Sequence, residues 1–266
     1  MLALKLTLVP FFLFAVSMSG KWWGPTIAGW LAGLPVVAGP ILFLLVLSHG
    51  PAFGAHAAIL SLAAVLASEA FNFAYAWTCR AGSWRVSLAA GLAVWLIAAV
   101  ALSRMPASPV WAFGAAMVAV ALGQRLLPRS TVPAGSSPLT ASDLSMRMVA
   151  GAVLTVIVTT LSSTVGPTWS GLLTVFPLLG IVLSVASHRA HGPEFVISLL
   201  RGMVLGRFSF VAFCLCLIFA LPLQSTSAVF LEASVAAMVV QWITKRFAYS
   251  RSPGVERALV NHGIAD

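Results

Sequence analysis

The sequence predicts an all-α polytopic membrane protein of about nine transmembrane helices, arranged as two four-helix inverted repeats plus one linking helix. Three observations predict it. Apolar residue types make up 60% of the 266 residues and charged types 8%, where a soluble domain carries roughly 25% charged. The apolar residues run in continuous stretches rather than alternating, which selects helices over the closed barrel, the other structure that satisfies its backbone inside lipid. Finally, one phrase is written twice, as GPTIAGWLAGLP from Gly24 and as GPTWSGLLTVFP from Gly166.

The nine apolar segments are 4–19, 26–48, 53–77, 86–102, 109–123, 148–165, 168–187, 195–221 and 228–244. A helix that crosses the hydrocarbon core needs about 20 such residues. Residues 1–20 also fit a secretory signal, with Lys5 ahead of an apolar core and small residues. A retained helix is the reading adopted, because the second phrase is preceded by an apolar segment too. Residues 124–147, rich in Pro, Ser and Thr, form the longest gap and read as a linker.

The net charge is +9. In a chain this apolar, the basic residues are read as loop charges that set orientation rather than as a nucleic-acid surface. With the C-terminus in the cytoplasm, eleven loop Lys and Arg, Arg147 among them, fall inside, against Lys5 and Arg104 outside. Nine crossings then put the N-terminus outside.

The repeat continues beyond its opening phrase. The offset that carries Gly24 onto Gly166 also carries His49, Gly50, Pro51 and Phe53 onto His191, Gly192, Pro193 and Phe195, giving ten identities in thirty positions without a gap. The units divide as 1–103 for the first repeat, 104–147 for the linking helix and cytoplasmic linker, 148–246 for the second repeat, and 247–266 for a cytoplasmic tail. The odd helix between them turns the second unit upside down, a plan used by secondary transporters. Gly24 and Gly166 mark helix starts, each followed by Pro. Pro35 and Pro177 lie about two turns inside helices, where a missing N–H gives either a packing kink or a hinge beside a central site. Gly29, Gly33 and Gly39 permit close helix contact. His49 and His191 read as caps at opposite membrane edges.

Three charges fall inside apolar segments: Glu69, Arg201 and Arg207. Counted from the cytoplasmic ends at 1.5 Å per residue, Glu69 lies roughly 12 Å deep, Arg201 roughly 9 Å and Arg207 roughly 18 Å. Depth therefore favours a Glu69–Arg201 pair and leaves Arg207 for a hydrated cavity or an anionic ligand. Glu69 could alternatively carry a coupling proton, with Asn72 one turn away sharing its site. Arg207, Arg201, Glu69 and Asn72 are the candidate substrate-binding residues. Cys79, Cys214 and Cys216 lack metal-site spacing, and no nucleophile–base set or phosphate loop occurs, so neither catalysis nor a cofactor is expected.

The second half, from GLLTVFP at Gly171 through EFVISLLRGMVLGRFSFVAF at Glu194 to QWI at Gln241, resembles the GlpM family. The resemblance spans about 100 residues and includes Gly202 and Gly206 of the third helix. It implies a bacterial inner-membrane protein made of two fused four-helix units, and it brings no catalytic residues. Taken together, the residues point to a secondary transporter of a small, anionic solute. The rival reading is a non-transporting membrane scaffold or a regulator of an envelope process.

Overall fold

A computed structural model of the chain describes residues 2–130, 140–164 and 167–249. Among the described residues every regular element is a helix. In chain order these are α1 (Leu2–Trp23), α2 (Pro25–Ala32), α3 (Ala38–His49), α4 (Pro51–Ala63), α5 (Val65–Thr78), α6 (Trp84–Ser103) and α7 (Pro109–Leu126). They continue with α8 (Ala141–Thr164), α9 (Pro167–Thr174), α10 (Leu178–His191), α11 (Pro193–Ala220) and α12 (Thr226–Tyr249).

Seven stretches among the described residues are long and apolar enough to cross a bilayer. They are Pro51–Thr78, Trp84–Ser103, Pro109–Leu126, Ala141–Val158, Thr168–His191, Pro193–Ala220 and Thr226–Lys245. The expected nine adds segments 4–19 and 26–48. The second of these is split, and its longer part, Ala38–His49, has 12 residues, so it spans about 18 Å of a core about 30 Å thick.

Glycine and proline write the helix boundaries. Gly24, Gly50 and Gly192 have φ of 88°, 89° and 78°, a region open to glycine because it lacks a Cβ. Each is followed by a proline in the first helical turn, where its missing N–H has no intrahelical acceptor to lose. Gly166 lies outside the described residues; the helix that follows it starts at Pro167. The two histidines after which the chain turns each stack on a phenylalanine, His49 on Phe53 and His191 on Phe195, both at 4.4 Å.

Pro35 and Pro177 were expected within continuous helices, and here the structure differs. Both helices stop, over 33–37 and 175–177, and restart. A proline N has no hydrogen to give the preceding turn, and its ring crowds that turn's carbonyl. The chain ends α2 with tightened bonds, Gly33 N–H to Trp30 O (3.2 Å) and Leu34 N–H to Leu31 O (3.1 Å), then restarts with Gly39 N–H to Pro35 O (2.7 Å). The second break repeats this: Val175 N–H to Leu172 O (3.3 Å), Phe176 N–H to Leu173 O (2.9 Å) and Ile181 N–H to Pro177 O (2.7 Å). Every donor and acceptor in the first set is carried onto its counterpart in the second by the offset of the repeated phrase.

Packing follows the same offset. Helix α2 crosses α11 through Gly29 and Gly33 on one side and Gly202 and Gly206 on the other. A Cβ at Gly29 would overlap the Leu199 carbonyl, and one at Gly202 would overlap that of Thr26. Both pairs have the four-residue spacing that brings helices close in lipid, where dispersion and not solvent exclusion drives association. Gly171, the counterpart of Gly29, sits against Ala57 on α4, with its added Cβ placed 2.8 Å from the Ala57 carbonyl. Ala57 and Leu199 are themselves counterparts under the repeat. Helix α1 packs on α8, α5 on α6, and α11 on α12. Gln241 on α12 donates to the Trp30 carbonyl (2.8 Å), which also accepts the tightened bond from Gly33 N–H at the end of α2.

Candidate functional site

The two breaks face one another across a cavity of about 40 Å³, room for about three or four water molecules at about 10–15 Å³ each. Ala32, Val37 and Ala38 line it from the first break, Thr174, Pro177 and Gly180 from the second. The C-terminal ends of α2 and α9 and the N-terminal ends of α3 and α10 therefore meet at one place. The N-termini bring partial positive charge. Arg207, from the middle of α11, completes the lining.

Arg207 is 8% exposed and Glu69 5%. The guanidinium Nε donates to Glu69 Oε1 at 2.8 Å, and Nη2 donates to the Ser68 hydroxyl. Asn72 Nδ2 donates to the other carboxylate oxygen, Oε2, at 3.0 Å. Gly123 on α7 closes this side, a Cβ there falling 3.7 Å from Glu69 Oε2. Asn72 is fully buried, and its Oδ1 has no hydrogen-bond partner. That oxygen lies beside Gly180, 3.5 Å from where a Cβ would stand. Ser184, one turn further along α10, is also fully buried with an unpartnered hydroxyl.

This arrangement corrects the expected pairing: Glu69 binds Arg207, not Arg201. Arg201 donates instead to the carbonyls of Leu127 (2.6 Å) and Gln124 (3.3 Å) and so caps the C-terminal end of α7. Six residues separate the arginines, which places them about 120° apart around α11 at about 100° per residue. Direction around the helix decides which arginine meets α5, and the long guanidinium arm absorbs the difference in depth. Among the four candidate binding residues, the structure therefore brings Glu69, Asn72 and Arg207 together and sends Arg201 elsewhere. Of the candidate break residues, Pro35 and Pro177 belong to the two breaks at the cavity, while Gly24 caps the far end of α2.

The ion pair has no repeat counterpart. The offset carries Glu69 onto Val211, and Arg207 back onto Val65, both buried. The hydrogen-bond register of the breaks recurs under the offset and the ion pair does not.

Toward the proposed cytoplasmic end, Tyr75 and His188 share a hydrogen bond (OH to Nδ1, 3.3 Å). Arg80 closes the end of α5 onto the start of α11 through Glu194, with Nε–Oε1 at 2.8 Å and Nη2–Oε2 at 3.2 Å. Its hydrogen bond to Glu194 raises the Arg80 pKa above the ordinary arginine value. Next to it, burial pushes the Cys79 thiol up to about 11.

Arg147 escaped the reading from sequence, which counted it among the loop charges. It lies inside α8 and is 3% exposed; Nη1 donates to Ser17 on α1 at 3.1 Å, while Nε and Nη2 have no partner. The apolar run that begins just after it, at residue 148, hid the fact that α8 starts seven residues earlier, at Ala141. No group of three metal-ligating side chains occurs among the described residues. The chain matches no protein-family model, no curated protein and no solved structure.

Proposed function

We propose that the chain is a secondary transporter of a small anion, working by alternating access at the crossing of its two broken helices. The observation that carries this reading is the cavity itself: two helix breaks with the same hydrogen-bond register open onto one space, and a buried arginine faces into it. Broken helices at the interface of inverted repeats are where secondary transporters hold substrate and coupling ion. The reciprocal packing of α2 on α11 and α9 on α4 supports two equivalent halves. The seven apolar spans, with α1 and the α2–α3 unit added, give nine crossings. The second half is then inverted, the N-terminus lies outside and the C-terminus in the cytoplasm. A bacterial inner membrane and kinship with GlpM-like proteins belong to the same proposal and rest on the residues quoted above. The N-terminal ends of α3 and α10 offset the C-terminal ends of α2 and α9, so Arg207 is the group that favours an anion in the cavity, whose size favours a compact one.

The test is accessibility. In a protein whose native cysteines are replaced, Thr174→Cys places a thiol on the cavity wall. A transporter lets a small, membrane-impermeant thiol reagent reach it from each side of the membrane in turn. Protection from both sides, in folded protein, would support the scaffold reading.

A further inference from the structure

The Glu69–Arg207 pair does more than fill the interior. We propose that Glu69 is the proton carrier of an electroneutral proton–anion symport, with Arg207 as the anion site. This inference rests on the transport reading above.

Charge counting drives it. With Glu69 ionised, the pair is neutral. A proton passed from a hydronium ion to Oε2, on the side of the carboxylate that faces Asn72 and Gly123, forms an O–H bond, leaves a neutral water and leaves Arg207 with an uncompensated positive charge. An anion at the guanidinium restores neutrality; Nε and Nη2 are held by α5, which leaves Nη1 for the cavity. Two loading states are thus neutral, empty and doubly loaded. The two half-loaded states each carry a net buried charge, which is costly away from water. Reorientation of neutral states alone couples one proton to one anion.

Asn72 fits both protonation states. Its Nδ2 donates to ionised Oε2 at 3.0 Å, and its Oδ1 is buried without a partner. Turning the carboxamide about its terminal bond presents Oδ1 to a protonated Oε2 as acceptor. An amide carries one donor end and one acceptor end on the same axis, so the same side chain satisfies Glu69 before and after protonation. A structural ion pair has no need of that second end.

The surroundings leave Glu69 in this role. Arg207 is the charged group in hydrogen-bond contact with it among the described residues. Of the other titratable groups on neighbouring elements, Tyr75 on α5 is bonded to His188 of α10, and Arg201 of α11 is bonded to the end of α7. Arg125 lies in the last turn of α7, Arg85 in the first turn of α6, His56 in α4, and Arg189 and His191 in the last turn of α10. Glu194 of α11 is paired with Arg80.

The experiment uses full-length protein in lipid vesicles with an internal pH dye and inward gradients of chloride, nitrate or formate. Wild-type protein should acidify the interior with at least one of these anions, at a rate unchanged when potassium and valinomycin impose a membrane potential. Glu69→Gln fixes the protonated form. Its empty state is charged and its anion-loaded state neutral, so it should exchange labelled anion across the membrane and lose acidification. Wild-type anion flux without proton movement, or flux driven by the potential, overturns the coupling and leaves transport standing. Acidification that survives in Glu69→Gln also overturns it. No flux of any of the three anions in wild-type vesicles overturns both readings. Because the potential measurement needs no variant, it decides the matter even if Glu69→Gln does not fold.

Discussion

At the scale of the residue, the interior is organised by one ion pair and by the groups that hold it. Removing one partner of a buried pair leaves an uncompensated charge, which costs about 3–5 kcal/mol. Arg207→Met should therefore lower the thermal stability of the purified protein by that order, since Glu69 stays behind. The double variant Glu69→Gln/Arg207→Met should recover most of the loss, and Glu69→Gln/Arg201→Met should not. Unfolding in detergent checks all three; recovery with Arg201→Met instead would place the pair wrongly. The sequence made it legible that charges lie inside the membrane, because Glu69, Arg201 and Arg207 interrupt apolar runs. It did not show which arginine meets the carboxylate. That depends on direction around α11 and on the orientation of α5 against it, and neither is a local property of the chain.

At the scale of the element, small residues are placed where backbones touch. Gly202→Ala would set a methyl group into the Thr26 carbonyl. Backbone on both sides cannot yield cheaply, so α2 and α11 must separate and the variant should fail to accumulate as folded protein. Gly114→Ala is the control: nothing lies within 4 Å of a Cβ there, and replacing Gly by Ala in a helix favours it by up to about 1 kcal/mol. Folded yield by size-exclusion chromatography separates the two. Element positions were readable from runs of apolar residues and from Gly-Pro starts. The sequence leaves a packing kink and a hinge both open at Pro35 and Pro177, because a proline alone tells where a hydrogen bond is lost and not how many residues pass before the helix resumes. Here the chain takes five in the first copy and three in the second.

At the scale of the whole molecule, the fixed offset in the sequence predicts a two-unit plan, and the hydrogen bonds of the two breaks and the α2–α11 and α9–α4 contacts share that offset. Orientation is the testable part. Ala52, exposed just after Gly50 at the start of α4, should lie outside. An Ala52→Cys protein lacking its native cysteines should react with an impermeant thiol reagent added to intact cells; reaction only after the cytoplasmic face is opened would reverse the assigned topology. The exchange of partners, α2 lying on α11 and α9 on α4, also bears on how the chain is made. When the ribosome has released the chain only as far as the end of α7, the glycine face of α2 has not yet met α11, and the α4 surface around Ala57 that receives Gly171 waits for a helix not yet synthesised. The first half must persist in the bilayer as an open, unclasped intermediate until residues near Gly206 emerge, so biosynthesis of this protein has a vulnerable interval during which membrane quality control can see it.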